Sequence, residues 1–222
     1  MKIIYEKFDK TQIPSLPREK FTGRIFVITT PQEADRAVSY LMSQHILGFD
    51  TETRPSFRHG VNHKVAMLQV SSYDTCFLFR LNHTGITESI KTLLEDTTIT
   101  KVGLSWDDDI RGLKARRPFR TGYFHELQNE VKMLGIQDGS LQKIYANLFD
   151  KMISKKQQLS NWEADILTEA QKLYAATDAW ACIRIYEELH RLHSSGQFEF
   201  VPAPIEEPQP IEETEPAITA NS

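Results

Sequence analysis

The chain has 222 residues, 40% hydrophobic and 25% charged, which suits one soluble domain with a real core and excludes a wholly unstructured chain. The formal net charge is −4, yet setting aside the six acids of 197–222 leaves 26 basic against 24 acidic side chains. A body so close to neutral is not a strongly basic duplex binder, though it allows a transient grip on a nucleic acid strand whose phosphates metals neutralise locally.

The chain begins with a stretch, 1–21, punctuated by Pro14 and Pro17, that reads as an irregular N-terminal arm without the apolar core of a secretory leader. A strand is predicted over 24–29. Thr30-Pro31-Gln32-Glu33 then reads as a capping box opening a helix to about Ser43. Strands follow over 46–52, 64–71 and 75–81, the last two joined by a short turn. A helix over 86–95, a strand over 99–104 and a helix from about Ser105 come next. Residues 121–134 suit strand or helix equally, and 140–149 is helical. A second capping box, Thr168-Glu169-Ala170-Gln171, opens a long helix to about His193. Three successive strands with links too short for helical crossovers imply a mixed sheet, hence a single α/β domain over 22–195. The remainder, 196–222, is rich in Pro and Glu and is expected to be a disordered acidic tail. No run approaches the roughly 18–20 apolar residues that cross a bilayer. Cys76 and Cys182 lack metal-ligand spacing and read as reduced core cysteines, so the expected location is the cytoplasm.

The functional signal is acidic residues on inward-facing positions. Asp50 and Glu52 end an apolar strand and, two apart, share one face. Their like charges call for a cation between them or free access to water. On the long helix, Tyr174, Asp178, Ala181, Ile185, Leu189 and Leu192 form one stripe at 3.6 residues per turn. Asp178 therefore faces the core and needs a partner, either a basic side chain or a metal. In KVGLSWDDDIRGL (101–113), Asp107 and Asp108 suit dipole complementation at a helix start, whereas Asp109 lies beside the apolar stripe of Trp106, Ile110 and Leu113. Three inward acidic sites on separate elements have one common explanation in a pair of hard divalent cations, Mg²⁺ or Mn²⁺, which take oxygen ligands and serve phosphodiester hydrolysis.

These stretches, GFDTET (48–53), VAMLQVSS (65–72), KVGLSWDDDIRGL and QQLSNWEADILTEAQKLYAATDAWACIRIYEEL (157–189), resemble the DEDD 3′-5′ exonucleases. The order D-x-E, G-x₅-D, Y-x-x-x-D is similar to the tyrosine (DEDDy) subgroup, which includes ribonuclease D, the proofreading domain of family A DNA polymerases and the Werner helicase exonuclease domain. The histidine subgroup would place a His where Leu173 stands. The resemblance implies a ribonuclease H-like fold, metal ligation by Asp50, Glu52, Asp109 and Asp178, and a catalytic Tyr174 that orients the attacking water. It implies release of nucleoside 5′-monophosphates from the 3′ end of single-stranded or 3′-recessed DNA or RNA, with no obligate protein partner.

Candidate substrate contacts are Thr51, Met67, Leu68, Gln69 and Trp106. Core packing is the rival reading for Met67, Leu68 and Trp106. Lys114, Arg116, Arg117 and Arg120 read either as phosphate contacts or as solvated charge at a helix C-terminus. Trp162 is expected to pack the start of the long helix, and the seven histidines show no ligand spacing. The rival function is a catalytically silent nucleic-acid-binding adaptor of the same fold.

Overall fold

The computed structural model describes residues 1–58 and 60–204, so the expected disordered tail from 205 onward lies outside the described residues. In chain order the elements are β1 (Lys2–Tyr5), β2 (Arg24–Ile28), α1 (Pro31–Leu41), β3 (Ile46–Thr53), β4 (Val65–Ser71) and β5 (Thr75–Arg80). After them come α2 (Leu81–Thr84), α3 (Glu88–Glu95), β6 (Thr100–Gly103), α4 (Trp106–Arg116) and β7 (Phe124–Glu126). The chain continues through α5 (Leu127–Met133), α6 (Leu141–Phe149), α7 (Glu169–Ser195) and β8 (Phe198–Val201).

Six strands form one mixed sheet in the order β2-β5-β4-β3-β6-β7. The β3–β4 and β4–β5 pairs are antiparallel, as their short links require, and the other three are parallel. One face is covered by α1, α3 and α4 over a core that includes Phe49, Leu68, Phe79 and Trp106. The other carries α5, α6 and α7, whose Ile183, Ile185 and Leu189 pack with Ile46 and Val102. The α/β class and mixed sheet are those expected from the sequence.

Both capping boxes form. Thr30 Oγ1 accepts from Glu33 N at 3.3 Å and Thr168 Oγ1 from Gln171 N at 3.2 Å, each Glu or Gln side chain returning to its cap's backbone N–H. The α7 stripe is buried from Tyr174 to Leu192, and the helix ends at Gly196 in the left-handed region. The ambiguous stretch 121–134 resolves into both candidates, a three-residue β7 running straight into α5.

Two expectations at the termini are corrected. The N-terminal arm is not irregular throughout, because β1 pairs in parallel with β8, Lys2 opposite Phe198 through Tyr5 opposite Val201. The acidic tail does not begin at 196, because 198–201 is that partner strand. Each strand pairs the backbone groups on the other's facing edge, and Ile4, Phe8, Ile13 and Phe21 of the arm are buried. No helix among the described residues is long and apolar enough to cross a membrane.

Candidate active site

Three of the inward acids meet. Asp50 and Glu52 project from the same face of β3 at its C-terminal end, and Asp178 comes down from α7, one turn after Tyr174. Carboxylate oxygens of Asp50, Glu52 and Asp178 lie within 4.8 Å of one another. This approach depends on Gly48, since a Cβ there would sit 1.9 Å from the Ala179 carbonyl oxygen. The missing side chain lets α7 lie directly on β3 and brings Asp178 to the strand end.

Asp109 stays outside this trio, on the opposite side of the sheet, near enough for its charge to act on Glu52 and Asp50. Thr51, alternating to the other face of β3, donates its hydroxyl to Asp109 Oδ1 at 2.5 Å. The N-terminus of α4 is fixed by a residue that sequence reasoning missed. Glu126 accepts from Ser105 N at 2.9 Å and Trp106 N at 2.6 Å, while Ser105 adopts a left-handed φ of 59°. Its position in the stretch of ambiguous period hid it. Asp107 and Asp108 point to solvent, as expected of charges at a helix start.

Among the described residues no Lys or Arg forms an ion pair with any of the four acids, although the charge of Lys155 acts on Asp178 from the cavity wall. Burial, reinforced by the neighbouring carboxylates, raises Glu52 to about 10 and Asp109 to about 8, and lifts Asp50 well above the usual carboxylate range. Asp178 rises to about 7 through burial, held back by a hydrogen bond with Tyr174 and by the charge of Lys155. Burial beside these acids also pushes the Tyr174 phenol up, so it stays protonated and remains a hydrogen-bond donor. Clustered buried carboxylates without an ion-paired base are unfavourable by several kcal/mol each unless protonated or bound to cations. An all-oxygen set of this kind fits hard divalent ions.

A cavity of about 310 Å³ opens over Asp50, Glu52, Tyr174 and Asp178, closed on its far side by 139–142 and 153–158. Lys155 lines it, another residue sequence reasoning passed over, inside a KKQQ run that looks like ordinary solvated charge. The segment before α7 is tied down by buried Arg80, whose guanidinium donates to the carbonyls of Ala164 at 2.5 Å and Asp165 at 3.5 Å. Glu163 bridges Arg54 at 3.3 Å and His63 at 3.1 Å, joining this segment to the loop after β3.

The expected substrate contacts fare differently. Thr51 lines the cavity. Met67, Leu68 and Gln69 are fully buried in β4 and do not reach it. Met67 packs with Tyr174 and Ala175, Leu68 faces the opposite core, and Gln69 stands across from Asp50 in the strand register. Trp106 is a core residue, edge-on to Phe49 and stacked on Phe124, rather than a platform for a base. In the basic cluster, Arg116 and Arg117 are tied to backbone carbonyls, while Lys114 and Arg120 are exposed. Arg116 holds the carbonyls of Val65 and Leu81, Arg117 holds that of Ile86, and Lys114 lies over Phe119. Trp162 packs on Tyr174 as expected.

Residues 25–193 match a family model described as 3′-5′ exonuclease. The chain is 31% identical over 218 residues to a 3′-5′ exonuclease of Arabidopsis thaliana, covering 85% of this chain and 72% of that protein. It is 32% identical over 158 residues to the bifunctional 3′-5′ exonuclease/ATP-dependent helicase WRN of Mus musculus, covering 68% of this chain but only 11% of that much longer protein. Its fold is similar to the EXO domain of Aedes aegypti Nibbler, with a TM-score of 0.73 at 18% identity, over 82% of this chain and 95% of the other. That likeness identifies the mixed sheet and its helices as ribonuclease H-like.

Proposed function

The chain belongs to the 3′-5′ exonuclease family, and from that premise we propose that it shortens single-stranded or 3′-recessed DNA or RNA from the 3′ end, releasing nucleoside 5′-monophosphates. The observation that carries this reading is the convergence of Asp50, Glu52 and Asp178 within 4.8 Å, with no ion pair to a base among the described residues. Asp50, Glu52 and Asp178, with Asp109 beside them, would hold two divalent cations, Mg²⁺ or Mn²⁺. Such ions supply a water of lowered pKa and stabilise negative charge developing on phosphate and leaving oxygens.

The chain's own groups do the positioning. Tyr174, protonated beside Asp178, orients the attacking water and the scissile phosphate, and this role supports reading the chain as one of the tyrosine (DEDDy) subgroup. Thr51 fixes the Asp109 carboxylate by the 2.5 Å hydrogen bond. The partly enclosed cavity limits water around the reacting phosphate, which strengthens every electrostatic interaction inside it.

Asp178→Asn tests the reading on a 5′-labelled strand in Mg²⁺ or Mn²⁺. Loss of roughly 4 kcal/mol of charge stabilisation corresponds to a fall of about a thousandfold in kcat, while far-ultraviolet circular dichroism stays unchanged. Full metal-dependent digestion by this variant would sink the proposal, and a wild-type chain that binds the strand without shortening it would favour the adaptor.

A further inference from the structure

We propose that the N-terminal arm completes a track for the phosphate backbone of the substrate strand, on the 5′ side of the bond to be cut. This rests on the exonuclease reading. A second cavity, of about 540 Å³, adjoins the first and shares Ser140, Gln142 and Lys155 with it. Four cations line it, Lys10, Arg18, Lys143 and Lys155, and no acidic residue does. Lys143 is engaged with Asp138 at 2.9 Å. Among the described residues Lys10, Arg18 and Lys155 form no ion pair, although nearby Lys151 is matched to Glu19 at 2.7 Å.

The backbone that carries these charges is fixed. Arg18 bridges to Met152, Met152 N donates to Pro17 O at 2.9 Å, and Glu19 N donates to Met152 O at 2.9 Å. Between Lys10 and Arg18 the arm buries Ile13. Unpaired cations on an ordered arm, beside a cavity lined by carboxylates, complement an anionic polymer that runs from one cavity into the other.

The polarity follows from the reaction. An exonuclease acting from the 3′ end has a single nucleotide on the 3′ side of the cut, so any longer strand lies on the 5′ side. The carboxylate cavity takes the scissile phosphate and the terminal nucleotide, and the basic one takes upstream phosphates. Its lining holds four cations, the hydroxyls of Thr11 and Ser140, the Gln142 amide and the apolar Ile13, Pro14 and Met152, and no aromatic ring on which a base could stack, so its grip is on the backbone. Lys10 and Arg18 precede residue 25, where the match to the family model begins, so the track adds to the shared unit.

Lys10→Ala/Arg18→Ala in the full chain tests this with two 5′-labelled substrates, a dinucleotide and a 12-nucleotide strand, and with anisotropy binding of the labelled 12-mer in EDTA. We expect about tenfold weaker 12-mer binding and a correspondingly higher KM. The slope of log affinity against log salt should fall by about 1.4, about 0.7 per lost phosphate contact on a single strand. Turnover of the dinucleotide and kcat on the 12-mer should not change. Unaltered 12-mer affinity and salt slope would overturn the track while leaving the exonuclease reading intact. A wild type that cleaves neither substrate, while the variant still loses 12-mer affinity, would overturn the exonuclease reading and uphold the track.

Discussion

Each clustered acid holds its proton more tightly in the folded chain than in the unfolded one. Glu52 rises to about 10 from 4.5, Asp109 to about 8 from 3.8 and Asp178 to about 7 from 3.8, burial being the largest cause each time. A carboxyl raised on folding contributes stability that is complete below its unfolded pKa and is lost as pH climbs through its folded one. The chain in EDTA should therefore lose stability as pH rises from about 4 towards 10. Carboxylates with lowered values, such as Glu19 and Asp96, act in the opposite sense only at the acid end, so they do not mask the trend. Divalent cations need the ionised ligands, so the gain in Tm from Mn²⁺ should grow with pH. Thermal melts at about pH 5.5, 7 and 8.5, in EDTA and in Mn²⁺, measure both effects. A Tm in EDTA that is flat over this range would contradict the assigned shifts, and Asp178→Asn should make the slope shallower.

The contact between β3 and α7 builds the site, and it rests on Gly48 more than on any acid. Gly48→Ala would drive a Cβ into the backbone carbonyl of Ala179, which no rotamer change can relieve. Overpacking of this kind costs about 1–3 kcal/mol, and here the helix must retreat and carry Asp178 with it. The variant should melt lower in denaturant titration and lose most metal-dependent activity, although every carboxylate is present. Near-normal activity would show that Asp178 is not positioned by this contact. The sequence shows both partners of the contact plainly. The β3 run is apolar up to Asp50, and the α7 stripe repeats at helical spacing for over four turns, so burial and phase are readable without coordinates. Gly48 itself gave no signal, because the close approach is to Ala179, far along the chain. Glu126 was hidden for a related reason, since a strand of three residues sets no period. Met67, Leu68 and Trp106 were legible as core or contact but not as one of the two, because an apolar side chain near an active site looks the same in either role.

At the scale of the whole molecule, the two chain ends are part of the fold. Strands of four residues, one between a charged start and two prolines and the other beside a Pro- and Glu-rich segment, carry no local sign of pairing across about 200 positions. Ile4 packs among Leu127, Ile144 and Ile185, and Phe8 and Ile13 pack on Ala146 of α6. Polar contacts hold the same stretch, with Phe8 N donating to Asp138 at 2.7 Å, Phe21 N to Thr177 at 3.1 Å and Tyr145 to Glu19 at 2.5 Å. Asp138 and Tyr145 flank or form α6, whose N-terminal residues Ser140 and Gln142 line the catalytic cavity. Deleting residues 1–21 should therefore do more than shorten the chain. Each large apolar side chain removed from the core forfeits about 1.5–3 kcal/mol, offset in large part by the ordering entropy of the arm that is no longer lost. A net loss near 3 kcal/mol would lower Tm by about 6–12 °C for a domain of this size. Hydrogen exchange should show where the loss falls, with protection reduced in α6 and β8 and retained in α1, α3 and α4, whose core contains no residue of the arm. A truncated chain that melts with the full one would make the arm an appendage and return the domain boundary to residue 22. A truncated chain that melts lower, with exchange confined to α6 and β8, would make residues 1–21 the wall that holds one side of the cleft in place.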